Sequence, residues 1–468
     1  MTERPTYPTP TDSIPTNPVR EWESHVYDFL AEPIPPAIHE RGERVVADVL
    51  AATVAGLGAE ANATVALDAV FGDGPATVVG TDRRVPVETA ALLHTAAAIT
   101  PEIEEGHNTG GHVGASIVAG ALGVAEAADI GGSEFVDACV RSYEVCTRLE
   151  RAIFGMKARM NEALPWLVRN PHSTWTTVGP ALTSALCLGL DDDAIRETFR
   201  VAANLAVVSM FDPYAEGAPA RNFTAGFSAQ AGVTAALVAA AGLRGSAAAL
   251  GEVYDPFDAD DGGFTADMAT LGERWDLEEN YFKPYPSCRY THAPRDALRA
   301  AVDGVDLDPT AVEHVDVYTY RNGVDMAHSS PRTMTSAKFS TPYVVARYLV
   351  SGSVDVDHFG PEALGDRVVR RLADRVSLHV DEAFEERFPD DWGARVVVRT
   401  ADGEQYTGSR QYPRGDYRDP LSDEAWRDRT RALLSQGGAD SADAVSAVET
   451  VGDRPVGETV SRLNELIR

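Results

Sequence analysis

Lysine is nearly absent from this chain of 468 residues. It occurs three times, and the other 38 basic residues are arginines. Lysine is normally one of the commonest amino acids, so a lysine that remains is expected to do something that arginine cannot. The three that remain are Lys157, Lys283 and Lys338.

Basic residues of either kind are also outnumbered. Aspartate and glutamate total 71, which gives a formal net charge of −30, yet 44% of the chain is hydrophobic. This composition supports a large core and about two domains rather than a disordered acidic tail. Dense carboxylates with little lysine are typical of halophilic proteins, because salt screens the repulsion within such a surface. An acidic surface of this kind argues against nucleic acids and anionic membranes as partners.

Cysteines and long apolar runs are scarce as well. The four cysteines have no C-x-x-C spacing, which excludes zinc knuckles and iron–sulfur clusters and predicts buried free thiols. No run approaches the roughly 18 consecutive apolar residues of a membrane-spanning helix. The first 17 residues, rich in proline and threonine, lack a signal-peptide core, so we expect a cytoplasmic protein. The cysteines are Cys139, Cys146, Cys187 and Cys288.

Several common catalytic motifs are missing. There is no G-x-x-x-x-G-K-[ST] phosphate loop and no G-x-S-x-G elbow. The Gly56-Leu-Gly58 stretch lacks the third glycine of a dinucleotide-binding fingerprint. His107 and His112 are five residues apart, which places them on different faces of a helix and argues against a histidine metal pair.

Most of the first half has helical periodicity. From His39 to about Gly251, apolar residues recur every three or four positions. Ser133 and Asp193 are plausible N-caps. Many alanines and glycines allow close backbone approach, so we predict a tightly packed helical domain. Further predicted helices are 87–98, 112–128, 133–154, 173–190, 192–209 and 224–250.

Composition changes after an Asp/Gly/Pro loop at 255–263. Alternating residues predict strands at 312–320, 376–380 and 394–400, with a hairpin turn at Asp402-Gly403. Helices are expected at 343–352, 359–373, 422–435 and 456–468. The predicted fold is α+β, with a large all-α helical bundle and a smaller α/β lid domain inserted before the C-terminal helices. The corresponding boundaries are 1–273, 274–411 and 412–468.

Two segments combine reactive side chains with turn residues. In the stretch from Glu102 to Gly114, three carboxylates, two histidines and several glycines precede a helix. Such a stretch suits an anion site, although a solvated acidic loop with capping histidines is the alternative. The run from Lys283 to His292 brings together ammonium, thiol, guanidinium, phenol and imidazole groups. We favour a functional role for it over a pinned linker between domains.

Two further segments carry a single candidate each. His172 lies in an Asn-Pro-His-Ser-Thr-Trp turn, where capping and site roles are equally supported, and Ser173 or Thr174 can cap the next helix. Arg221 stands at the start of a buried alanine-rich helix, where the helix dipole disfavours a cation. It therefore needs an anion, and a structural carboxylate is slightly favoured over a substrate one.

These four segments, in this order and spacing, resemble the MmgE/PrpD family, which includes 2-methylcitrate dehydratase, cis-aconitate decarboxylase and some epimerases. The resemblance runs from about His39 to about Arg431 and includes the Lys338-Phe-Ser-Thr-Pro-Tyr343 stretch. It implies a homodimer and catalysis without metal or organic cofactor. The catalytic positions that it implies are His112, His172, Lys283 and Tyr343. The substrate-binding positions that we predict are Glu102, Arg221 and Arg289, together with Cys288 or His292, between which the local pattern does not decide.

The chain departs from the family pattern at three places. The usual Asp-x-Asp-Asp-Thr run begins here with the longer Glu102 and ends with Gly106, which lacks the hydroxyl, and Arg221 stands where many members have lysine. We predict a hydro-lyase of propionate catabolism that acts on 2-methylcitrate or a close relative. Arginine and lysine would clamp carboxylates, and a histidine would serve as base. A decarboxylase, a dicarboxylate epimerase and a non-catalytic carboxylate-binding protein are the alternatives.

Overall fold

A computed structural model describes residues 21–57, 72–109, 111–163, 169–170, 172–206, 209–210, 217–218, 220–246, 249–254, 257 and 263–467. The expectations for the N-terminal 17 residues, for Gly110 and for most of the 255–263 loop lie outside these residues. Within them the fold is a mostly helical α+β fold, as predicted.

The described residues contain twenty α-helices and ten strands. The helices are α1 (Glu21–Phe29), α2 (Pro36–Leu57), α3 (Val87–Ile99), α4 (Gly120–Ala127), α5 (Gly132–Ala163), α6 (His172–Cys187), α7 (Asp192–Leu205), α8 (Ala220–Ala240), α9 (Ala249–Tyr254), α10 (Gly263–Met268), α11 (His292–Val302), α12 (Arg321–Val324), α13 (Met334–Lys338), α14 (Thr341–Ser351), α15 (Pro361–Leu364), α16 (Arg367–Ala373), α17 (Glu382–Glu385), α18 (Asp423–Gln436), α19 (Ala442–Glu449) and α20 (Val456–Leu466). The strands are β1 (Ala76–Thr77), β2 (Arg84–Val85), β3 (Gly106–His107), β4 (Arg169–Asn170), β5 (Ser209–Met210), β6 (Asn280–Tyr281), β7 (Val312–Thr319), β8 (Val376–Val380), β9 (Ala394–Thr400) and β10 (Gln405–Arg410).

The larger hydrophobic core is built from both chain ends. It contains buried residues from Trp22 to Phe282 and again from Trp426 to Leu463. Helices α18 and α19 pack on α2, and α20 packs on α4. The C-terminal helices therefore return to the N-terminal bundle, as the sequence indicated.

Small residues allow the central helices to lie close together. Helix α8 packs against α3, α6 and α7. A side chain at Gly232 would place its Cβ 2.2 Å from the carbonyl oxygen of Thr177 in α6, so only glycine fits there. The alanine- and glycine-rich composition thus allows the close helix packing that we predicted. All four cysteines are buried and free.

A second core lies under the four-stranded sheet. The strand order is β10-β9-β7-β8, in which β7 and β8 are parallel and the other pairs antiparallel. Alternate residues such as Val315 and Val317 face this core, and helix α11 packs on β9 and β10. The predicted strands and hairpin are confirmed here. The domain boundaries remain predictions, supported by the separation of the two cores.

Some predicted helix ends were wrong. Asp191 caps α7 in place of Asp193, by accepting from the amide of Ala194 at 2.9 Å, and α5 begins before Ser133. Ser173 and Thr174 lie within the first turn of α6 rather than capping it. The predicted helix 224–250 is two helices, and 359–373 is interrupted between α15 and α16.

One described helix, α8, is long and apolar enough to cross a membrane by length and composition. The helix is not an unbroken apolar run, because it contains Arg221, Asn222 and Gln230, so it does not contradict the expectation from the sequence. Its contacts with α3, α6 and α7 show that the same composition suits a helix inside the bundle.

Candidate active site

The loop after α3 holds its carboxylates in an unusual backbone conformation. Glu102 has a φ of 56° and His112 a φ of 61°, a region that side chains other than glycine seldom adopt. The Lys338 ammonium, buried from solvent, donates to the carbonyls of Thr100 and Pro101, each at 2.9 Å. Lys338 thus fixes the turn that leads into Glu102.

Glu102 is the anion to which two predicted site cations bind. Its Oε2 lies 2.9 Å from Nη1 of Arg221, and its Oε1 lies 3.0 Å from Nζ of Lys283. Burial alone would raise the pKa of Glu102, but Arg221, Lys283 and then His112 together hold it below its usual range. Arg221 at the start of α8 has therefore found a structural carboxylate, the alternative that the sequence slightly favoured.

His112 is held on both sides of its ring. Its Nδ1 contacts Oε1 of Glu104 in a short hydrogen bond, and its Nε2 lies 2.8 Å from Nη2 of Arg221. Arginine carries no acceptor, so Nε2 accepts and the ring proton lies on Nδ1, facing the carboxylate. The imidazole is oriented by Glu104, and its lone pair is directed to Arg221.

His172 faces His112 across a short gap. The two ring centroids are 6.1 Å apart, and His172 also packs on Trp175 at 4.9 Å. Phe154 contacts the same ring at 6.3 Å and carries the Lys157 ammonium at 5.2 Å on its own face. His172 is the first residue of α6, so the helix start directs it into the cluster. Pro171 and Gly110 lie outside the described residues.

For three predicted site residues the structure shows contacts with residues other than those of this cluster. The Tyr343 hydroxyl donates to the carbonyl of His358 at 2.6 Å and packs in the second core. Arg289 stacks on Tyr281 at 4.1 Å and donates to Asp416. Nε2 of His292 lies 3.0 Å from the carbonyl oxygen of Ser287. Catalytic or substrate-binding roles for these three stay predictions.

Cys288 forms an apolar wall beside the cluster. It packs with Met326 and Phe339, and the Arg221 guanidinium lies 5.0 Å above the Phe339 ring. Burial, reinforced by Glu102, raises the pKa of the Cys288 thiol to about 12. The thiol therefore stays protonated and is not a nucleophile at neutral pH.

The sequence did not predict the buried side chains that hold the cluster in place. Arg429 of α18 donates to the carbonyl of Lys283 at 2.5 Å and also bonds to Asp48 of α2. Asp48 in turn accepts from the amide of Glu105 at 2.8 Å. These side chains come from distant helices and belong to no local motif. Glu104 lay within the acidic run, and its place in that run, eight residues before His112, was the available signal.

The carboxylates also have the spacing of metal ligands. Among the described residues, one group of this kind was found, with donor atoms of Glu102, Glu104 and His112 all within 4.8 Å of one another. Arg221 and Lys283 already supply two positive charges to these same groups. The negative charge of these carboxylates is thus already balanced by side chains of the protein itself.

The fold and this cluster define a two-core helical protein with a buried carboxylate, histidine and arginine centre. A family model for the MmgE/PrpD N-terminal domain matches residues 23–265, and one for the MmgE/PrpD C-terminal domain matches residues 285–451. The chain belongs to the MmgE/PrpD family, which confirms the resemblance. A relative is the cis-aconitate decarboxylase-like protein oryM of Aspergillus oryzae, 25% identical over 466 residues that cover 91% of this chain and 92% of that protein. The dehydratase- and decarboxylase-like enzymes of this family support an enzymatic role.

Proposed function

We propose that this protein is a cofactor-independent hydro-lyase that removes water from a small tricarboxylate such as 2-methylcitrate. The observation that carries the proposal is the meeting of Arg221, Lys283, the Glu104–His112 pair and His172 in a chain of this family. This set contains groups for binding carboxylates and for moving a proton in each direction.

Substrate binding would use the two cations that now hold Glu102. Arg221 offers a planar fork that binds a carboxylate at two points, and Lys283 offers a compact ammonium. A chain with a net charge of −30 repels an anion at long range. The local positive charge of these two side chains, and screening at high salt, would offset that repulsion.

Proton transfer would use the two facing histidines. When Arg221 turns to a substrate carboxylate, Nε2 of His112 is released and can take a proton from the carbon next to that carboxylate. Glu104 would stabilise the imidazolium that forms, as the buried carboxylate of a catalytic triad does. His172, on the other side of the gap, would protonate the leaving hydroxyl, so that water and an alkene are the products.

A decarboxylase is the second candidate, and the name of the Aspergillus relative favours it. The same cations would hold the carboxylates that stay on the molecule, carbon dioxide would leave, and a histidine would protonate the remaining carbon. A homodimer is proposed for either activity and can be checked by light scattering.

The test is a panel of citrate, 2-methylcitrate, cis-aconitate and iminodisuccinate, assayed at low and high salt. Alkene absorbance reports dehydration, and released carbon dioxide reports decarboxylation. His172→Ala should lower turnover by about 10²–10⁴-fold without changing the unfolding temperature. His314→Ala, at a half-exposed histidine of the sheet, is the control. Near-normal turnover in His172→Ala contradicts the site, and binding without turnover indicates a non-catalytic member.

A further inference from the structure

The space at Gly106 is filled by an aromatic ring from another strand. Gly106 in β3 pairs directly with Tyr281 in β6. A Cβ atom at Gly106 would lie 2.5 Å from Oη of Tyr281 and 2.7 Å from its Cζ. No side chain fits at position 106 while this ring is present. The glycine at position 106, where the family pattern has a hydroxyl, and the ring of Tyr281 therefore depend on each other, because the ring occupies the space of a side chain at 106.

The Tyr281 hydroxyl lies next to the loop that carries the carboxylates. It is 3.1 Å from where a Cβ of Gly111 would be, and Gly111 immediately precedes His112. Burial raises the pKa of Tyr281 well above its ordinary value; Arg289, stacked on the ring at 4.1 Å, opposes this, and Glu105, Glu104 and Glu102 reinforce it. The phenol consequently stays protonated and is a hydrogen-bond donor across the working pH range.

We propose that the Tyr281 hydroxyl takes the place of the hydroxyl absent from position 106 and donates a hydrogen bond to an oxygen of the bound carboxylic acid. This inference rests on the proposed function, because it needs an acid bound at the His112 cluster. The alternative is that the ring only covers a glycine in a strand pair, which is a known use of aromatic residues. The ring and the hydroxyl can be separated experimentally.

Tyr281→Phe keeps the ring and removes the donor. We expect kcat/KM to fall about 10- to 100-fold, as for loss of a hydrogen bond to a charged group, with an unchanged unfolding temperature. Activity within about twofold of the parent protein would overturn the inference, since the ring alone would then suffice.

A hydroxyl exchange provides a second test. Tyr281→Ala removes ring and hydroxyl together, and adding Gly106→Thr to it returns a hydroxyl to position 106 in the space that the ring filled. We expect the double variant to be about tenfold more active than Tyr281→Ala. Gly106→Thr alone should lose both activity and stability, because its Cβ meets the ring. A double variant no more active than Tyr281→Ala overturns the replacement of one hydroxyl by the other.

Failure of the proposed function has a different signature. If the parent protein binds citrate or cis-aconitate without turnover, calorimetry with these acids replaces the rate. Weaker binding by Tyr281→Phe then supports the donor role, and equal binding overturns it. A parent protein that neither binds nor converts any acid of the panel overturns both proposals.

Discussion

Arg221 donates to Nε2 of His112 at 2.8 Å while its other terminal nitrogen pairs with Glu102 at 2.9 Å. The nitrogen that would act as base is thus occupied by the side chain that would bind the substrate. An acid whose carboxylate draws Arg221 away frees that nitrogen, which couples binding to base activation. Removing the partners of this arrangement should therefore affect KM and kcat differently.

Glu104→Gln should lower kcat with little change in KM. The amide removes the negative charge that stabilises the imidazolium of His112, and it can donate to Nδ1 and so select the wrong tautomer. Loss of the equivalent carboxylate in a catalytic triad costs about 10⁴-fold, and we expect a fall of at least about tenfold. The measurement is the steady-state rate across pH. The control is Glu43→Gln, which changes a partly exposed Glu–His pair 3.7 Å apart on α2 and should leave kcat unchanged.

Arg221→Gln should act mainly on KM. Without the guanidinium, the substrate loses its bidentate partner, and Glu102 keeps Lys283 as its main cation within 4 Å. A buried pair broken on one side is also destabilising by about 3–5 kcal/mol, so the unfolding temperature should fall. Arg431→Gln, which breaks an exposed pair with Asp428, is the control and should change neither property. An unaltered KM in Arg221→Gln would contradict the proposed carboxylate clamp.

His94 should make the protein sensitive to acid. Burial lowers the pKa of this histidine from 6.5 to about 4, and its Nε2 accepts from the amide of Val79 at 3.2 Å. Because the folded pKa is lowered, the stabilisation is complete above pH 6.5 and is lost as the pH falls towards 4, where the unfolded chain binds a proton that the native state refuses. The shift corresponds to about 3 kcal/mol at most.

The measurement for His94 is urea unfolding at several pH values. The stability of the parent protein relative to His94→Gln should fall between pH 6.5 and 4, since glutamine keeps an acceptor and does not titrate. His39→Gln, at a partly exposed histidine, serves as the control. Parallel pH profiles of parent and His94→Gln would show that burial of this ring contributes nothing to acid sensitivity.

The sequence was informative where its signal is periodic or belongs to a motif. Strand β7 was placed within one residue because its buried valines alternate. The cap of α7 was misplaced because Asp191, Asp192 and Asp193 all have capping side chains, and only the backbone selects one. Glu102, His112, Arg221 and Lys283 were candidates from their motifs, and the structure brings them together.

Contacts between distant segments gave no such signal. The pairing of Gly106 with Tyr281 involves strands of two residues, too short for any periodicity. The Tyr343 hydroxyl shows the opposite limit: a motif marks a position without saying which way the side chain points, and this one bonds to His358 within the second core. The direction of the side chain, rather than residue type or burial, separates Tyr343 from the observed cluster, since Tyr343 is as buried as Lys283.

Lys338 should add a dependence on alkaline pH. Burial lowers the pKa of its ammonium from 10.5 to about 7, although Glu102 and then Glu104 oppose the change. For a lowered folded pKa, the stabilisation is complete above pH 10.5 and is lost as the pH falls through 7. The stability of the parent protein relative to Lys338→Met should therefore rise between pH 7 and pH 10, as measured by urea unfolding. The methionine also removes both donors to Thr100 and Pro101, so Glu102 loses its support and KM should increase. A pH profile of Lys338→Met parallel to that of the parent, with an unchanged KM, would show that an apolar chain supports the turn equally well and would contradict the expectation that this lysine has a role of its own.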